Sequence, residues 1–166
     1  MGATCCFFGH RDVFSSVEDF LYTKICYLIE NENVTEFLVG DHGDFDKAAA
    51  SAVRKAKLNY SNIKLTLVRP YFSEELNTNK DFYKALYDDI VIPSEAAQSH
   101  FKAAITNRNK WMINQCDFCI FYVFRENGGA YTALKYAEKQ NKNIVLYYEY
   151  SSNIYDKNSK RLQEYF

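Results

Sequence analysis

The chain has 166 residues, of which 48% are apolar, enough to build the core of one domain of ordinary size. Its 20 Lys and Arg residues nearly balance its 21 Asp and Glu residues, so the molecule as a whole offers no strong field that would attract a polyanion. Five cysteines and an N-terminus without a secretion-signal pattern favour a reducing cytoplasm. The longest apolar run, residues 118–124, is too short to cross a bilayer.

The first half of the chain alternates short apolar runs with amphipathic segments. Residues 4–8 predict a buried strand, and residues 15–32 predict a helix because apolar side chains recur there at helical spacing. The succession repeats as a strand at residues 36–40 and an alanine-rich helix at 47–60, followed by a third strand at 63–68. These strands are apolar throughout, which is typical of strands that helices cover on both faces.

The second half of the chain starts with a less regular segment, residues 73–98. Within it we predict a helix over residues 79–89 and a short strand over 89–93. After it we predict, in order, a helix at 100–115, a strand at 116–124, a helix at 129–140 and a strand at 143–148. The sequence therefore predicts one α/β domain over residues 1–150, a Rossmann-like three-layer sandwich with a mostly parallel sheet and helices on both faces, and a loosely packed tail at 151–166.

The loops that follow the predicted strands are the candidate functional segments. In an open parallel sheet, ligands bind where loops leave the carboxyl ends of the strands, and helix N-termini there direct amide N–H groups at anions. These loops contain Gly9, His10 and Arg11 after the first strand, Gly40, Gly43 and Asp46 after the second, Arg69 after the third, and Gly128, Gly129, Tyr131 and Thr132 after the strand at 116–124. We expect them to converge on one pocket.

Each of these loops has two interpretations. Gly9, Gly40 and Gly43 are either parts of a ligand site or tight strand-to-helix turns. Arg11 either pairs with a phosphate or extends into water, and His10 is equally a turn residue or a ligand contact. The Gly128-Gly129 pair is the sharpest signal, because Thr132 could add its hydroxyl to the amides of the helix start around an anion.

Other side chains in the loops also leave alternatives open. Asp44 and Asp46 are helix caps or acceptors for ribose hydroxyls, since their loop lacks the ligand spacing of a calcium site. Tyr71, Phe72 and Tyr131 either stack on a nucleobase or pack onto the sheet. We therefore expect no metal site and no bound cofactor.

Several common functional motifs are absent from the sequence. Cys116 and Cys119 form a CxxC pair, but residues three apart on a strand point to opposite faces and no second pair completes a zinc site, so we expect both in the core. The sequence has no GxSxG, no GxxxxGK[ST] and no GxGxxG. Serine hydrolase, P-loop ATPase and ordinary dinucleotide dehydrogenase are therefore poor interpretations.

Taken in order, the segments CCFFGHR, GDHGDFDKAAA, NRNKWMINQCDFCIFYV and GGAYTALKYAEKQNK resemble the SLOG superfamily of Rossmann-like domains. That group includes the LOG phosphoribohydrolases, the DNA-processing protein DprA and the YpsA-like proteins, and the likeness is strongest to its small stand-alone bacterial members. The resemblance implies a nucleotide-derived ligand over the strand ends, with its phosphate at the Gly128-Gly129 helix start. It adds Arg108 to the expected ligand-binding residues and implies a homodimer formed through helix faces.

The departures from the LOG pattern bear on function. LOG enzymes carry a PGGxGTxxE motif whose glutamate assists cleavage of an N-glycosidic bond. In this chain Asn127 stands at the proline, Tyr131 at the third glycine, and Leu134 and Lys135 where acidic residues would be. We therefore expect a module that binds or senses a nucleotide-like small molecule without LOG-type catalysis.

Two alternatives remain. The first is an N-glycosidase or phosphoribohydrolase that uses Glu126, Asp44 or Asp46 in place of the missing glutamate. The second is a DNA-associated accessory domain, which needs a positive groove with stacking platforms. Since the only basic run near a loop is residues 107–110, nucleic acid is not expected as a partner, and neither is a membrane.

Overall fold

The computed structural model describes residues 2–13 and 16–147, so the predicted tail at 151–166 lies outside the described residues. Its centre is a six-stranded sheet in which every neighbouring pair of strands is parallel. The strands are β1 (Ala3–Gly9), β2 (Val34–Val39), β3 (Lys64–Val68), β4 (Asp89–Val91), β5 (Phe118–Tyr122) and β6 (Asn143–Leu146). They lie in the order β4-β3-β2-β1-β5-β6.

Seven helices connect the strands of the described chain. They are α1 (Glu18–Glu32), α2 (Asp44–Lys57), α3 (Glu75–Thr78), α4 (Lys80–Leu86), α5 (Ser94–Ala97), α6 (Phe101–Gln115) and α7 (Gly128–Lys139). The irregular segment 73–98 thus consists of three short helices and the edge strand β4. Within the described residues, no helix is both long and apolar enough to cross a membrane.

Two separate cores lie on the two faces of the sheet. Successive residues of β1 alternate between them: Cys5 and Phe7 pack with side chains of α1 and α2, whereas Cys6 and Phe8 pack with side chains of α6 and α7. The two helical layers and the parallel sheet between them confirm the predicted α/β, Rossmann-like architecture. Cys116 and Cys119 are fully buried free thiols in the second of these cores.

The strand order fixes the place where a ligand can enter. From β1 the chain builds β2, β3 and β4 on one side, and β5 and β6 lie on the other side. The segments that follow β1 and β5 therefore lead to helices on opposite faces of the sheet, and their separation leaves a crevice at the carboxyl ends of these two strands. All the glycines discussed below lie at this end of the sheet.

A close approach of α2 to β1 forms one wall of that crevice. A Cβ atom on Gly9 would stand 2.3 Å from the ring of Phe45, whose side chain is fully buried. The Phe45 ring in turn stacks on Tyr122 of β5 at 5.7 Å between centroids. Gly9 is therefore explained by packing inside the protein.

We predict that Gly9→Ala destabilises the protein, by about 1–3 kcal/mol, because the methyl group overlaps a ring that fully buried neighbours hold in place. The matched control is Gly129→Ala, where a Cβ meets nothing within 4 Å. That change should alter the free energy of unfolding by less than about 0.5 kcal/mol. Urea denaturation measures both, and equal stabilities of the two variants would contradict the packing explanation for Gly9.

Candidate functional site

A cavity of about 360 Å³ opens at the carboxyl ends of β1, β2 and β5. Its lining comes from the end of β1 and the loop after it, the loop after β2, one face of α6 and the first turn of α7. The volume lies in the range usual for small-molecule sites. This is the crevice that the strand order predicts.

The first turn of α7 faces the cavity with uncapped amides. Asn127, the residue before the helix, makes no capping hydrogen bond with its side chain. Gly128 has a φ of 87°, a conformation that favours glycine, while a Cβ on Gly129 would meet no atom within 4 Å. The first N–H groups of a helix have no partner within it and lie at the positive end of its dipole, so this open surface is suited to an anion.

The glycines of the second loop have a different explanation. A Cβ on Gly40 would lie 2.8 Å from Arg108 Nη1 and 2.9 Å from Asp46 Oδ2, so a side chain there would displace both charged groups. Gly43 has a φ of 104° and would carry its Cβ 2.6 Å from the Cα of Arg11. Contacts within the protein therefore explain why glycine stands at positions 40 and 43. No contact within the protein explains the glycine at position 129, where a side chain would have room.

Arg108 is a buried cation in the wall of the cavity, with only 3% of its surface exposed. Its Nη1 donates to the carbonyl of Val68 at 2.8 Å, and its Nε donates to Asn109 Oδ1 at 2.9 Å. Burial lowers the pKa of Arg108, and the nearby Asp46 acts in the opposite direction. Within the described residues Nη2 makes no hydrogen bond, so it remains available to a ligand.

Asp46 is the one carboxylate that lines the cavity within the described chain. It lies in the first turn of α2, and its Oδ2 accepts a hydrogen bond from the His42 backbone N–H at 2.9 Å. Burial raises the pKa of Asp46 to about 6, although the Arg108 charge and the His42 amide both act to lower it. Asp46 therefore holds the loop that precedes its helix and also presents a carboxyl group to the cavity, and the expected capping of α2 by its side chain is not seen.

The ring of His10 also lines the cavity, and its Nδ1 would lie 3.9 Å from a Cβ on Gly128. Only 3% of the residue is exposed, and its Nε2 is buried without a hydrogen-bond partner. Burial, with a smaller contribution from the Arg125 charge, lowers the pKa of His10 to about 4, and a hydrogen bond to the Arg125 backbone opposes the shift. The ring is therefore neutral at pH 7. In the neutral ring one nitrogen carries a hydrogen and the other can accept a hydrogen bond.

The structure brings together eight of the twelve predicted ligand residues: Gly9, His10, Arg11, Gly40, Asp46, Arg108, Gly128 and Gly129. The other four lie elsewhere. Gly43 precedes α2, and Arg69 pairs with Asp41 beside a second cavity. Thr132 donates its hydroxyl to the Gly128 carbonyl at 3.1 Å, and the Tyr131 ring lies 5.3 Å from Lys135 Nζ and packs against the second core.

Sequence reasoning missed several lining residues. Ile105 and Asn109 line the cavity together with Arg108 and Met112. They are spaced as one face of a helix, which is a signal that the sequence contains. His42 and Arg125 also line it.

Positive charge gathers at the cavity although the chain as a whole has a net charge of −1. Arg11, Arg108 and Arg125 line it, and Asp46 is the counter-charge. The three arginines come from the loop after β1, from α6 and from the loop before α7. Among the described residues, no three His, Cys, Asp or Glu side chains are grouped so that they could hold a metal ion.

Comparison with known proteins finds solved structures that share this fold. No family model and no curated protein matches the chain. Among solved structures, DNA processing protein A (DprA) from Streptococcus pneumoniae matches with a TM-score of 0.63 and 15% identity, over 98% of this chain and 56% of that one. A second structure concerns the single-stranded DNA binding mode of DprA from Helicobacter pylori, with a TM-score of 0.64, 16% identity, and coverage of 98% and 72%. This chain therefore spans just over half of the first protein and shares a fold with both.

The comparison corrects one expectation from the sequence, that nucleic acid is not a partner. A structure with the same fold over nearly the whole chain describes a single-stranded DNA binding mode, so that exclusion is wrong. The physical reason is that the exclusion rested on net charge and on runs of basic residues. The fold collects single arginines from distant segments at one end of the sheet, where neither measure detects them.

The pKa of Asp46 leads to a prediction for Asp46→Asn. Because the folded protein holds this proton more tightly than the unfolded chain, the stability that it contributes is complete below about pH 4 and is lost as the pH rises through 6. An asparagine still accepts from the His42 amide but carries no charge. The variant should therefore gain stability relative to the parent, by up to about 3 kcal/mol, between about pH 4 and pH 8.

Urea denaturation of both proteins across this range measures that difference. The His10 contribution runs the other way, since its stability is present above the ordinary histidine pKa and is lost as the pH falls through about 4. It is common to both proteins and cancels in the comparison. A difference in stability that did not vary with pH would show that Asp46 has an ordinary pKa.

Proposed function

We propose that this domain binds a nucleoside phosphate in the cavity between β1 and β5 and does not cleave it. The observation that carries the proposal is the open first turn of α7, where Gly129 faces the cavity with nothing in the protein opposite it. A phosphate there accepts from the helix amides, and Arg108 Nη2 and the arginines of the neighbouring loops balance its charge.

The rest of the cavity suits a nucleoside. His10 lines the cavity as a neutral ring, which has one nitrogen that can accept, so it suits a hydroxyl or an amino group of the ligand. Ile105 and Met112 offer apolar surface on the α6 side, against which a base can lie. The site therefore combines an anion-binding end, a hydrogen-bond acceptor and an apolar wall.

The absence of turnover follows from what stands at the catalytic position of the LOG pattern. Leu134 is 1% exposed and belongs to the second core, and Lys135 is paired with Glu138 at 3.1 Å. Neither Glu126 nor Asp44 lines the cavity, which leaves Asp46 for the hydrolytic alternative. If free base does accumulate from a nucleotide, Asp46→Asn is the variant that identifies the acid.

The proposal includes membership of the SLOG superfamily and a bacterial cytoplasmic setting in which the cysteines, free in the described residues, remain thiols. A homodimer is part of the same proposal. Phe72 and Phe101 are exposed aromatic residues that a partner copy could cover. Light scattering of the purified protein decides its oligomeric state.

We predict that Gly129→Glu lowers the affinity for nucleoside 5′-monophosphates by at least about tenfold, because it places a carboxylate where the phosphate lies. Gly129→Ala is the matched control and should change affinity far less. Calorimetric titration gives the affinities. Mass spectrometry of the incubated mixtures should find intact nucleotide and no free base above an enzyme-free control.

Two results count against this proposal. If Gly129→Glu binds the nucleotide with unchanged affinity, the phosphate does not lie at the N-terminus of α7. Free base formed by the parent protein and not by Asp46→Asn would establish the hydrolase in place of the binding module.

A second candidate function is binding of single-stranded DNA through the same cavity. The specific observation in its favour is the fold shared with DprA over 98% of the chain. If two or three phosphates contact the clustered arginines, the logarithm of the association constant should fall against the logarithm of salt concentration with a slope of about −1.5 to −2. Fluorescence anisotropy with a labelled oligonucleotide measures the slope, with the matching duplex as control. No binding at low salt would eliminate this candidate.

A further inference from the structure

A second cavity, of about 450 Å³, lies beside the first. It lies between the loop after β2 and one face of α2 on one side, and α3 and α4 of the irregular segment on the other. Gly40 and His42 line both cavities. One short stretch of backbone therefore forms the boundary between the two spaces.

Two arginines that line this second cavity each have a buried donor without a hydrogen-bond partner. Arg69 is 8% exposed and holds Asp41 and Ser73 with its terminal nitrogens, yet its Nε is buried without an acceptor. Arg54 on α2 likewise has a buried Nη1 without an acceptor. Buried unpaired donors are costly, so two of them on one cavity point to an acceptor that belongs to a ligand.

The charge balance of this cavity favours an anion. Lys47, Arg54 and Arg69 line it, against Asp41 and Glu75. Asp41 is already paired with Arg69, and burial together with the Glu75 carboxylate raises the pKa of the Tyr83 hydroxyl. Arg54 and Lys47 are therefore left without an acidic partner among the described residues.

Aromatic rings complete the cavity on the α4 side. Phe82 is 61% exposed, and its ring meets that of Tyr83 edge-on at 5.5 Å. Tyr83 stacks on Tyr87, whose ring also lies 6.0 Å from the Arg54 guanidinium carbon. A planar base can lie on such a surface while an attached phosphate reaches the cations of α2.

We propose that the second cavity is a second nucleotide subsite, and that the ligand of this protein carries two linked nucleotide units which lie on either side of Gly40. The inference rests on the function proposed above, since the first unit occupies the first cavity. The two units belong either to a free dinucleotide or to adjacent positions of a single strand of DNA. Both sources present the same chemistry, a second base with its phosphate.

The test compares a thymidine 5′-monophosphate, a 5′-phosphorylated thymidine dinucleotide and an oligothymidylate of about ten nucleotides. The parent protein should bind the dinucleotide at least about tenfold more tightly than the monophosphate. Arg54→Met should reduce dinucleotide affinity about tenfold, the usual cost of removing one partner of a charge-assisted hydrogen bond, and leave monophosphate affinity unchanged. Lys139→Met, an equal loss of charge on an exposed residue at the far end of α7, is the matched control.

Phe82→Ala supplies a second variant that removes no buried side chain, and it should also weaken only the dinucleotide. A plateau of affinity at the dinucleotide identifies a free dinucleotide, and a further rise with the oligomer identifies DNA. Equal affinities for one and two units, or dinucleotide binding that neither variant weakens, would overturn the second subsite while the first stands. If the parent protein binds none of the three, the proposed function itself fails.

Discussion

The candidate site depends on one buried cation. Arg108 reaches from α6 to the last carbonyl of β3 and lies so close to Gly40 that a side chain there would displace it. A guanidinium that is 3% exposed needs compensation, and here a carbonyl, the Asn109 side chain and the charge of Asp46 supply it. This arrangement fixes α6, one face of which lines the cavity, against the carboxyl end of β3. The same requirement explains why glycine stands at position 40.

The order and type of the main elements could be predicted, because strands buried on both faces carry apolar side chains at every position and not at alternate ones, as in β5. In the segment 73–98, the helix predicted over 79–89 and the strand predicted over 89–93 correspond to α4 and β4. The helices α3 and α5 were not predicted, since four residues are too few to show a periodicity. In the site, the turn at Gly128 and Gly129 was visible as a glycine pair before a helix. The reason for a glycine at position 9 could not be seen in the sequence, because it is a close contact with the ring of Phe45, which is 36 positions later in the chain.

The charge around the cavity was also hidden from sequence reasoning, because it depends on residues that are distant in the chain. A net charge of −1 and a single short basic run argue against binding of polyanions. Neither quantity says which charged side chains the fold brings together. The parallel topology carries every loop after a strand to the same edge, so arginines from distant segments end up around one opening while many acidic side chains stay elsewhere. Local potential, and not the total charge, decides whether a phosphate is attracted. A nucleotide ligand and a chain of nucleotides both fit this local potential.

The central claim is that the first turn of α7 holds a phosphate. The most direct measurement is an amide NMR titration of ¹⁵N-labelled protein with a nucleoside 5′-monophosphate, with the unphosphorylated nucleoside as reference. Our account predicts that the amide signals of Gly128, Gly129 and Ala130 shift to lower field with the monophosphate and much less with the nucleoside, because only a phosphate accepts from those N–H groups. Monophosphate-dependent shifts that leave these three amides unchanged would contradict the account.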